Sequence, residues 1–363
     1  MKIMTLFGTR PEIIRLSQII KTLDRFCDQV LVHTGQNYDP SLSDIFFQEL
    51  DLRAPDIHMG IQSATFAEQA GQILARSGEV LSRVRPDRLM ILGDTNSGLA
   101  AVVAARMGIP VYHLEAGNRC YDDRVPEEIN RRIIDQCSTI LMPYTQRSKE
   151  NLIREGIERE RIYVIGNPIY EVLETHAQHI ESRDILTRLK VSPGSFFLAT
   201  LHRAENVDDD KRLNQLLGGL SAVADRHDRP MLISVHPHTA SRMDQSGLKP
   251  TSGRIQLLKP LGFFDFVKLE KNAGLVISDS GTVQEECAIF GIRNVTLRDV
   301  TERPETIECG SNILSGGNPE DLLRTVQVAL SLEPQWVPPA EYTVRGVAQT
   351  VCKIALGYSR APR

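Results

Sequence analysis

The chain has 363 residues, 41% of them hydrophobic and 24% charged, with a formal net charge of −4. That composition excludes a disordered or collagen-like chain, and the length predicts two domains, each with its own core. No block of like charge is present, which excludes non-specific nucleic-acid binding through a basic field.

In chain order, strand-like apolar runs fall at 2–7, 30–33, 88–92, 111–113, 139–142 and 162–165. Helical periodicity lies between them at 13–26, 66–84 and 127–137. This alternation predicts a parallel sheet covered on both faces. The stretch 167–193 reads as the domain junction. The second half repeats the pattern, with strands at 195–201, 231–235, 255–258, 275–278, 294–297 and 312–314. Its helices are expected at 211–225, 265–272, 283–290 and 321–330. After Pro338-Pro339 a helical pattern at 343–356 is expected to cross back to the first domain. The start lacks the basic segment and apolar stretch of a signal peptide, and no run of about 18 apolar residues marks a membrane span. The six cysteines (27, 120, 137, 287, 309 and 352) are scattered without a CxxC. The expectation is a cytoplasmic protein with reduced thiols, without a disulfide frame or zinc site.

Two motifs stand where a strand hands over to a helix. Gly8-Thr9-Arg10-Pro11-Glu12 follows the first apolar run, and Ser278-Asp279-Ser280-Gly281-Thr282-Val283-Gln284-Glu285-Glu286 ends and follows the run at 275–278. A helix N-terminus there offers unpaired N–H groups and a positive dipole end, which suit phosphate. Arg10 and Arg15 have two readings. They are solvated arginines of an ordinary βα turn opened by Pro11, or Arg10 clamps a diphosphate. The glycine spacing is not GxGxxG, so no nicotinamide dinucleotide site is expected.

Three acids follow successive strands: Asp94 in Gly93-Asp94-Thr95-Asn96, Glu115 in His113-Leu114-Glu115, and Glu127 in Pro126-Glu127-Glu128. Ligands of open α/β sheets sit at the carboxyl ends of strands. Acids arriving there can serve as general acid and base. The other reading is that Asp94 caps a helix and Glu127 and Glu128 fill a first turn. No histidine or cysteine lies at helical metal-ligand spacing beside them, so no metal is expected.

In the second half, His202 and Arg203 end the strand at 195–201. His202 reads as an acid, a base or a phosphate donor, or else as a hydrogen-bonded loop histidine. His236-Pro237-His238 ends the next strand and reads as a phosphate or sugar contact on irregular backbone. Ser280, Gly281 and Thr282 offer hydroxyls and amides to an anion, with a plain N-cap as the other reading. Glu286, about one turn further in, is suited to accept two ribose hydroxyls. Arg303, in Thr301-Glu302-Arg303-Pro304-Glu305, adds charge at the same sheet edge.

At these residues the chain resembles the non-hydrolysing UDP-N-acetylglucosamine 2-epimerases. The ordered matches run nearly its whole length: GTRPE (8–12), GDTN (93–96), HLEAGNR (113–119), PEEINRR (126–132), HRAENVD (202–208), HPHT (236–239), SDSGTVQEE (278–286) and TERPE (301–305). The resemblance implies an α/β, GT-B-like architecture of two Rossmann-like domains with parallel sheets and an interdomain cleft. The domains would be 1–170 with the returning segment 343–363, and 171–342. It also implies a homodimer, UDP-sugar and UDP as ligands, and no metal or NAD. The implied reaction inverts C2 of UDP-N-acetylglucosamine through elimination of UDP, a 2-acetamidoglucal and re-addition. Asp94, Glu115, Glu127 and His202 match the family's catalytic motifs. Arg10, His202, Ser280, Gly281 and Glu286 match its UDP-contacting motifs, and Arg15, Arg203, His236, Thr282 and Arg303 are placed with them as substrate-binding candidates. Some bacterial members bind a second substrate molecule as an activator near the positions matched by Gln36 and Glu128.

The chain also departs from the pattern. Arg15 stands where many members carry lysine, Thr282 where many carry a second glycine, and Asn37 where the bacterial activator site has histidine. Segment 117–125 lacks an insertion common in bacterial enzymes. Arg15, GNRC and SGT resemble a sister group that epimerises UDP-2-acetamido-2,6-dideoxy-L-talose. HRAENVD and RDVTERPE lean back towards UDP-N-acetylglucosamine, the reading taken here. The other rivals are a hydrolysing 2-epimerase, a GT-B glycosyltransferase and a non-catalytic nucleotide-sugar binder.

Overall fold

The computed structural model describes residues 1–36, 40–63 and 65–357, with the backbone alone at 40–43. Asn37 and the end of the expected returning segment, 358–363, lie outside the described residues. The chain divides into two compact units, Met1–Thr175 with Glu341–Arg363, and His176–Ala340.

The first unit runs β1 (Lys2–Phe7), α1 (Arg10–Leu23), β2 (Asp28–His33), α2 (Pro40–Glu49), β3 (Ile57–His58), α3 (Phe66–Val84) and β4 (Arg88–Leu92). It continues with α4 (Ala100–Arg106), β5 (Val111–Leu114), α5 (Pro126–Cys137), β6 (Ile140–Met142), α6 (Gln146–Arg154) and α7 (Ile169–Thr175). The second unit runs α8 (Ala177–Glu181), α9 (Ile185–Leu189), β7 (Phe197–Leu201), α10 (Ala204–Val207), α11 (Asp210–His227), β8 (Met231–Val235) and α12 (Pro237–Ser246). It closes with β9 (Ile255–Leu258), α13 (Phe263–Asn272), β10 (Leu275–Ser278), α14 (Gly281–Phe290), β11 (Asn294–Thr296), α15 (Pro304–Glu308), β12 (Asn312–Leu314) and α16 (Pro319–Ser331). The last helix, α17 (Val347–Gly357), rejoins the first unit by packing on α1.

Both sheets are parallel throughout. Their strand orders are β3-β2-β1-β4-β5-β6 and β12-β11-β10-β7-β8-β9. Counted within its own unit, each sheet has the Rossmann order 3-2-1-4-5-6. The order reverses between β1 and β4 in one sheet and between β7 and β10 in the other. The central strands are buried on both faces, so they read as continuous apolar runs rather than alternating ones. Met4, Leu6, Leu89, Ile91 and Val111 pack with Ile73 and Leu81 of α3 and with Ala100, Ala101 and Ala104 of α4.

Local sequence explains the helix ends. In α3 the Thr65 side chain accepts from Glu68 N, and buried Ile73, Ser77, Val80 and Leu81 keep the helical period. The helix stops at Arg85, in the left-handed region just before Pro86. In α11 the Asp209 carboxylate accepts from the amides of Lys211 and Arg212.

Two expectations need correction. Segment 162–165 is not a strand; it makes one isolated bridge, Ile162 to Leu141. It has a partner on one side only, and Gly166 at φ +83° then turns the chain away. A side chain at Gly166 would collide with Val344, so that turn is also where the returning segment passes. The stretch 167–193, read as junction, includes Thr175 and His176, where one unit ends and the other begins, and it carries the short helices α7, α8 and α9. The backbone after His236 is not irregular, because His236 is the N-cap of α12 with Pro237 opening the helix.

Candidate active site

At the first switch point, Gly8 brings the β1–α1 turn against its neighbours. A Cβ there would strike the Thr34 and Ser97 hydroxyls. Glu12 pins the turn. Its Oε2 accepts from Gly8 N (2.9 Å), Thr9 N (2.7 Å) and Thr9 Oγ1 (2.8 Å), and its Oε1 from Thr95 Oγ1 (3.0 Å). Burial pushes the Glu12 carboxyl up to about 7, against the downward pull of these hydrogen bonds. Thr9-x-x-Glu12 is a capping-box spacing, the local signal that finds this residue. Arg10, at the start of α1, has its guanidinium 5.8 Å from the Phe46 ring.

The three acids gather at the carboxyl edge of this sheet. Asp94 does not cap a helix; its Oδ2 accepts from Arg131 Nε at 2.8 Å, and the pair closes to 2.6 Å at the other nitrogen. Arg131 also reaches Glu128 Oε2 at 2.7 Å. One buried guanidinium therefore ties Asp94 to the first turn of α5. Asn130 Nδ2 donates to Asp94 O and to Asn96 Oδ1. Glu115, at φ +64°, is held by Arg15 (2.5 Å), Tyr144 Oη (3.3 Å) and Asn118 Nδ2 (3.2 Å). A Cβ at Gly93 would stand 3.7 Å from the Glu115 carboxylate, which places that carboxylate beside Asp94's own loop. Glu127 is half-buried in the first turn of α5.

Gln36 Oε1 accepts from Ser97 Oγ at 3.0 Å. Glu128 is fully buried and accepts from the amides of Cys120 and Tyr121, both at 3.1 Å. Burial would raise its carboxyl, but these amides and Arg131 hold it below the usual range. Beneath the acids lies a buried brace that sequence reasoning missed. His113 Nδ1 is 2.8 Å from Asp135 Oδ1, and His113 Nε2 is 2.8 Å from Gly93 O. Asp135 also meets Arg119 at 2.8 Å. Burial opposes its ionisation, yet His113 and Arg119 hold it below the usual carboxylate range.

At the second switch point Asp279, within the 278–286 motif, is the hub. It is fully buried and accepts from His202 N (3.0 Å), Arg203 N (2.9 Å) and Asn206 Nδ2 (3.2 Å), while His202 Nδ1 lies 2.9 Å away. Burial works against its charge, but His202 and these amides hold the carboxyl well below the usual range. His202 stays 37% exposed in its side chain, and its ring centroid lies 6.3 Å from that of His236. Ser280 is the N-cap of α14, and its hydroxyl is 2.9 Å from Thr282 Oγ1. A Cβ at Gly281 would stand 2.7 Å from Glu302 Oε1, so only glycine lets the loop approach. Arg303 pairs with Glu285, and Glu302 takes Arg298 at 2.7 Å and Arg203 at 3.4 Å. Glu286 is buried on the inner face of α14.

The first unit thus gathers Arg10, Arg15, Asp94, Glu115 and Glu127 at one sheet edge. The second gathers His202, Arg203, His236, Ser280, Gly281, Thr282 and Arg303, with Glu286 behind them. Among the described residues, no group of three or more His, Cys, Asp or Glu side chains is placed to hold a metal ion. Among them, too, no helix is long and apolar enough to cross a membrane.

Comparison with known proteins finds relatives along nearly the whole chain. The family profile described as UDP-N-acetylglucosamine 2-epimerase matches residues 21–354. The UDP-N-acetylglucosamine 2-epimerase of Methanocaldococcus jannaschii is 41% identical over 347 residues, covering 93% of this chain and 95% of its own. The UDP-2,3-diacetamido-2,3-dideoxy-D-glucuronate 2-epimerase of Pseudomonas aeruginosa is 35% identical over 333 residues, covering 91% and 92%. The crystal structure of the M. jannaschii enzyme in complex with UDP-GlcNAc and UDP superimposes with a TM-score of 0.93 at 38% identity, covering 98% of this chain and 99% of that one. A match of this extent, in both sequence and fold, settles the kinship: the chain belongs to the UDP-N-acetylglucosamine 2-epimerase family.

Proposed function

We propose that the protein interconverts UDP-N-acetylglucosamine and UDP-N-acetylmannosamine without releasing free sugar. The C2 proton is not acidic enough for simple removal and return. A carboxylate takes that proton as the C1–O bond breaks, its electron pair leaves with UDP, and a C1–C2 double bond forms. UDP then adds back to C1 while a proton is delivered to the other face of C2. This route needs proton carriers on two faces and a firm hold on the departing diphosphate. One observation carries the reading: Asp94 and Glu115 stand at one sheet edge, each fixed by an arginine, with Glu127 on the adjoining helix turn. In the second unit the Ser280–Thr282 loop holds the diphosphate, His202 meets the leaving group and Glu286 accepts the ribose hydroxyls; in the first, Arg10 offers an anion contact of its own.

Proton NMR of the anomeric region tests it. Incubation with UDP-N-acetylglucosamine is expected to give a mixture of two UDP-sugars. Free N-acetylmannosamine would mark a hydrolysing enzyme, and no change would leave a binder or a transferase lacking its acceptor. Parallel assays with the 6-deoxy-L-talose and the 2,3-diacetamido-glucuronate UDP-sugars test the sugar itself. The P. aeruginosa relative makes the second of these necessary. Turnover is expected to survive dialysis against EDTA and the omission of NAD. Loss that zinc or magnesium restores would overturn the assignment of proton transfer to carboxylates alone.

A further inference from the structure

Against the inner face of α14 lies a second carboxyl that no step above uses. Glu270, on α13, is completely buried, and Glu286 beside it is 5% exposed. Cys287 Sγ donates to Glu270 Oε1 at 3.5 Å, while Glu270 Oε2 receives no donor. An ionised carboxylate with an oxygen left bare in an apolar interior is costly. A protonated one resolves the geometry, because that oxygen then carries its own hydrogen and Glu286 is the acceptor within hydrogen-bond reach. Two adjacent buried carboxyls share a single charge, and the deeper one keeps the proton. Burial first, and then the Glu286 charge, raise the Glu270 carboxyl well above its ordinary value. The Cys287 thiol is raised too, by burial and by the two carboxyls, so it remains a neutral donor. The other charged side chains of α13 are engaged elsewhere, Asp265 with Arg183 and Arg188, and Lys268 and Lys271 with Glu181.

We propose that Glu270 is a positioning residue for nucleotide recognition: as a neutral acid it donates a hydrogen bond to the Glu286 carboxylate and so fixes the acceptor that the ribose hydroxyls of UDP meet. The proposal rests on the reading of Glu286 given above. Without that hydrogen bond Glu286 keeps its charge but loses its orientation, and selectivity for the ribose falls before affinity for the diphosphate does.

Calorimetric affinities for UDP and 2′-deoxy-UDP test this in the full chain. The wild type is expected to favour UDP by about 10-fold or more, the loss typical when a charged acceptor loses its partner. Glu270→Gln keeps a donor and is expected to keep that ratio. Glu270→Met removes the donor at similar volume and is expected to bring the ratio close to one, with inorganic pyrophosphate affinity unchanged. A full ratio in Glu270→Met, alongside a lost ratio in Glu286→Gln, overturns the proposal alone. A full ratio in Glu286→Gln overturns the ribose reading and the proposal with it. Infrared spectroscopy gives a second readout should Glu270→Met not fold. The carbonyl stretch of a protonated carboxyl is expected to persist at about pH 8 in the wild type, where ordinary carboxyls are ionised, and to vanish in Glu270→Gln. Its absence from the wild type overturns the proposal.

Discussion

The two sheets share one strand order, and in both the candidate residues lie at the reversal of that order, yet the chemistry at the two edges is opposite. In the first unit the acid after the fourth strand, Asp94, is 24% exposed and held from one side by Arg131. In the second the corresponding acid, Asp279, is fully buried and surrounded by the amides of His202 and Arg203 and the side chain of Asn206. One unit presents carboxylates. The other hides its carboxylate beneath the loop and leaves the His202 imidazole as the more exposed group. The topology decides where a ligand sits, and a few loop residues decide the sign of the charge that meets it. That division suits a reaction that removes a proton from a sugar and retains an anionic leaving group.

Breaking the first half of the comparison is expected to have the largest effect. Asp94→Asn, Glu115→Gln and Glu127→Gln should each lower kcat by roughly 10²-fold or more, with UDP affinity preserved in calorimetry. Near-wild-type turnover in all three would remove the proton-carrier assignment. Breaking the second half acts on structure first. Asp279→Asn leaves buried amides with a weaker acceptor, and is expected to cost about 2–3 kcal/mol in urea denaturation and to weaken UDP binding. An unchanged midpoint would make the hub dispensable. Arg10→Ala tests whether the first unit also grips the diphosphate. A lost charge-assisted contact predicts an affinity for UDP roughly 10-fold or more lower, and an unchanged value places Arg10 outside the site.

The smallest expected effect is in the pH dependence of stability, where the two kinds of buried acid pull in opposite directions. Asp135 and Asp279 are held below their ordinary value of 3.8, so the unfolded chain binds more protons in acid. The stability they contribute is complete above that value and is lost as pH falls below it. Glu12 is raised from 4.5 to about 7, so here the folded form binds the extra proton. Its contribution is complete below pH 4.5 and is lost as pH rises through 7, by about 1 kcal/mol between roughly pH 6 and 7.5. Urea midpoints measured across pH are expected to show both limbs, and Glu12→Gln is expected to leave the acid limb intact and to reduce the neutral one to the part that Glu270, also raised, contributes. An unchanged neutral limb in Glu12→Gln would take Glu12 out of it.

Local signals were enough to read the α/β class, because parallel strands and the helices between them are written in short-range apolar patterns and caps. The helices expected at 66–84, 127–137 and 211–225 are present, with Thr65 and Asp209 capping two of them and Pro126 opening the third. Local signals also pointed to Asp94, Glu115, His202 and Ser280, since each lies within a few residues of a strand end, and to Glu127 in the first turn of a helix. They failed at 162–165, where a β-branched run resembles a strand but lacks a neighbour on its outer side. Pairing is a property of the sheet, not of the segment.

Periodicity and motif spacing determined the class of fold and the edges where chemistry gathers. Only the tertiary structure decided which charges meet. Arg131 reaches back to Asp94, Arg15 reaches across to Glu115, and His113 is braced by Asp135. Glu270 lies against Glu286 for the same kind of reason, two helices packed in one core. These partners are far apart along the chain, and no local propensity encodes their meeting. Burial then sets their protonation, because desolvation and the nearest opposite charge act through space and not along the sequence.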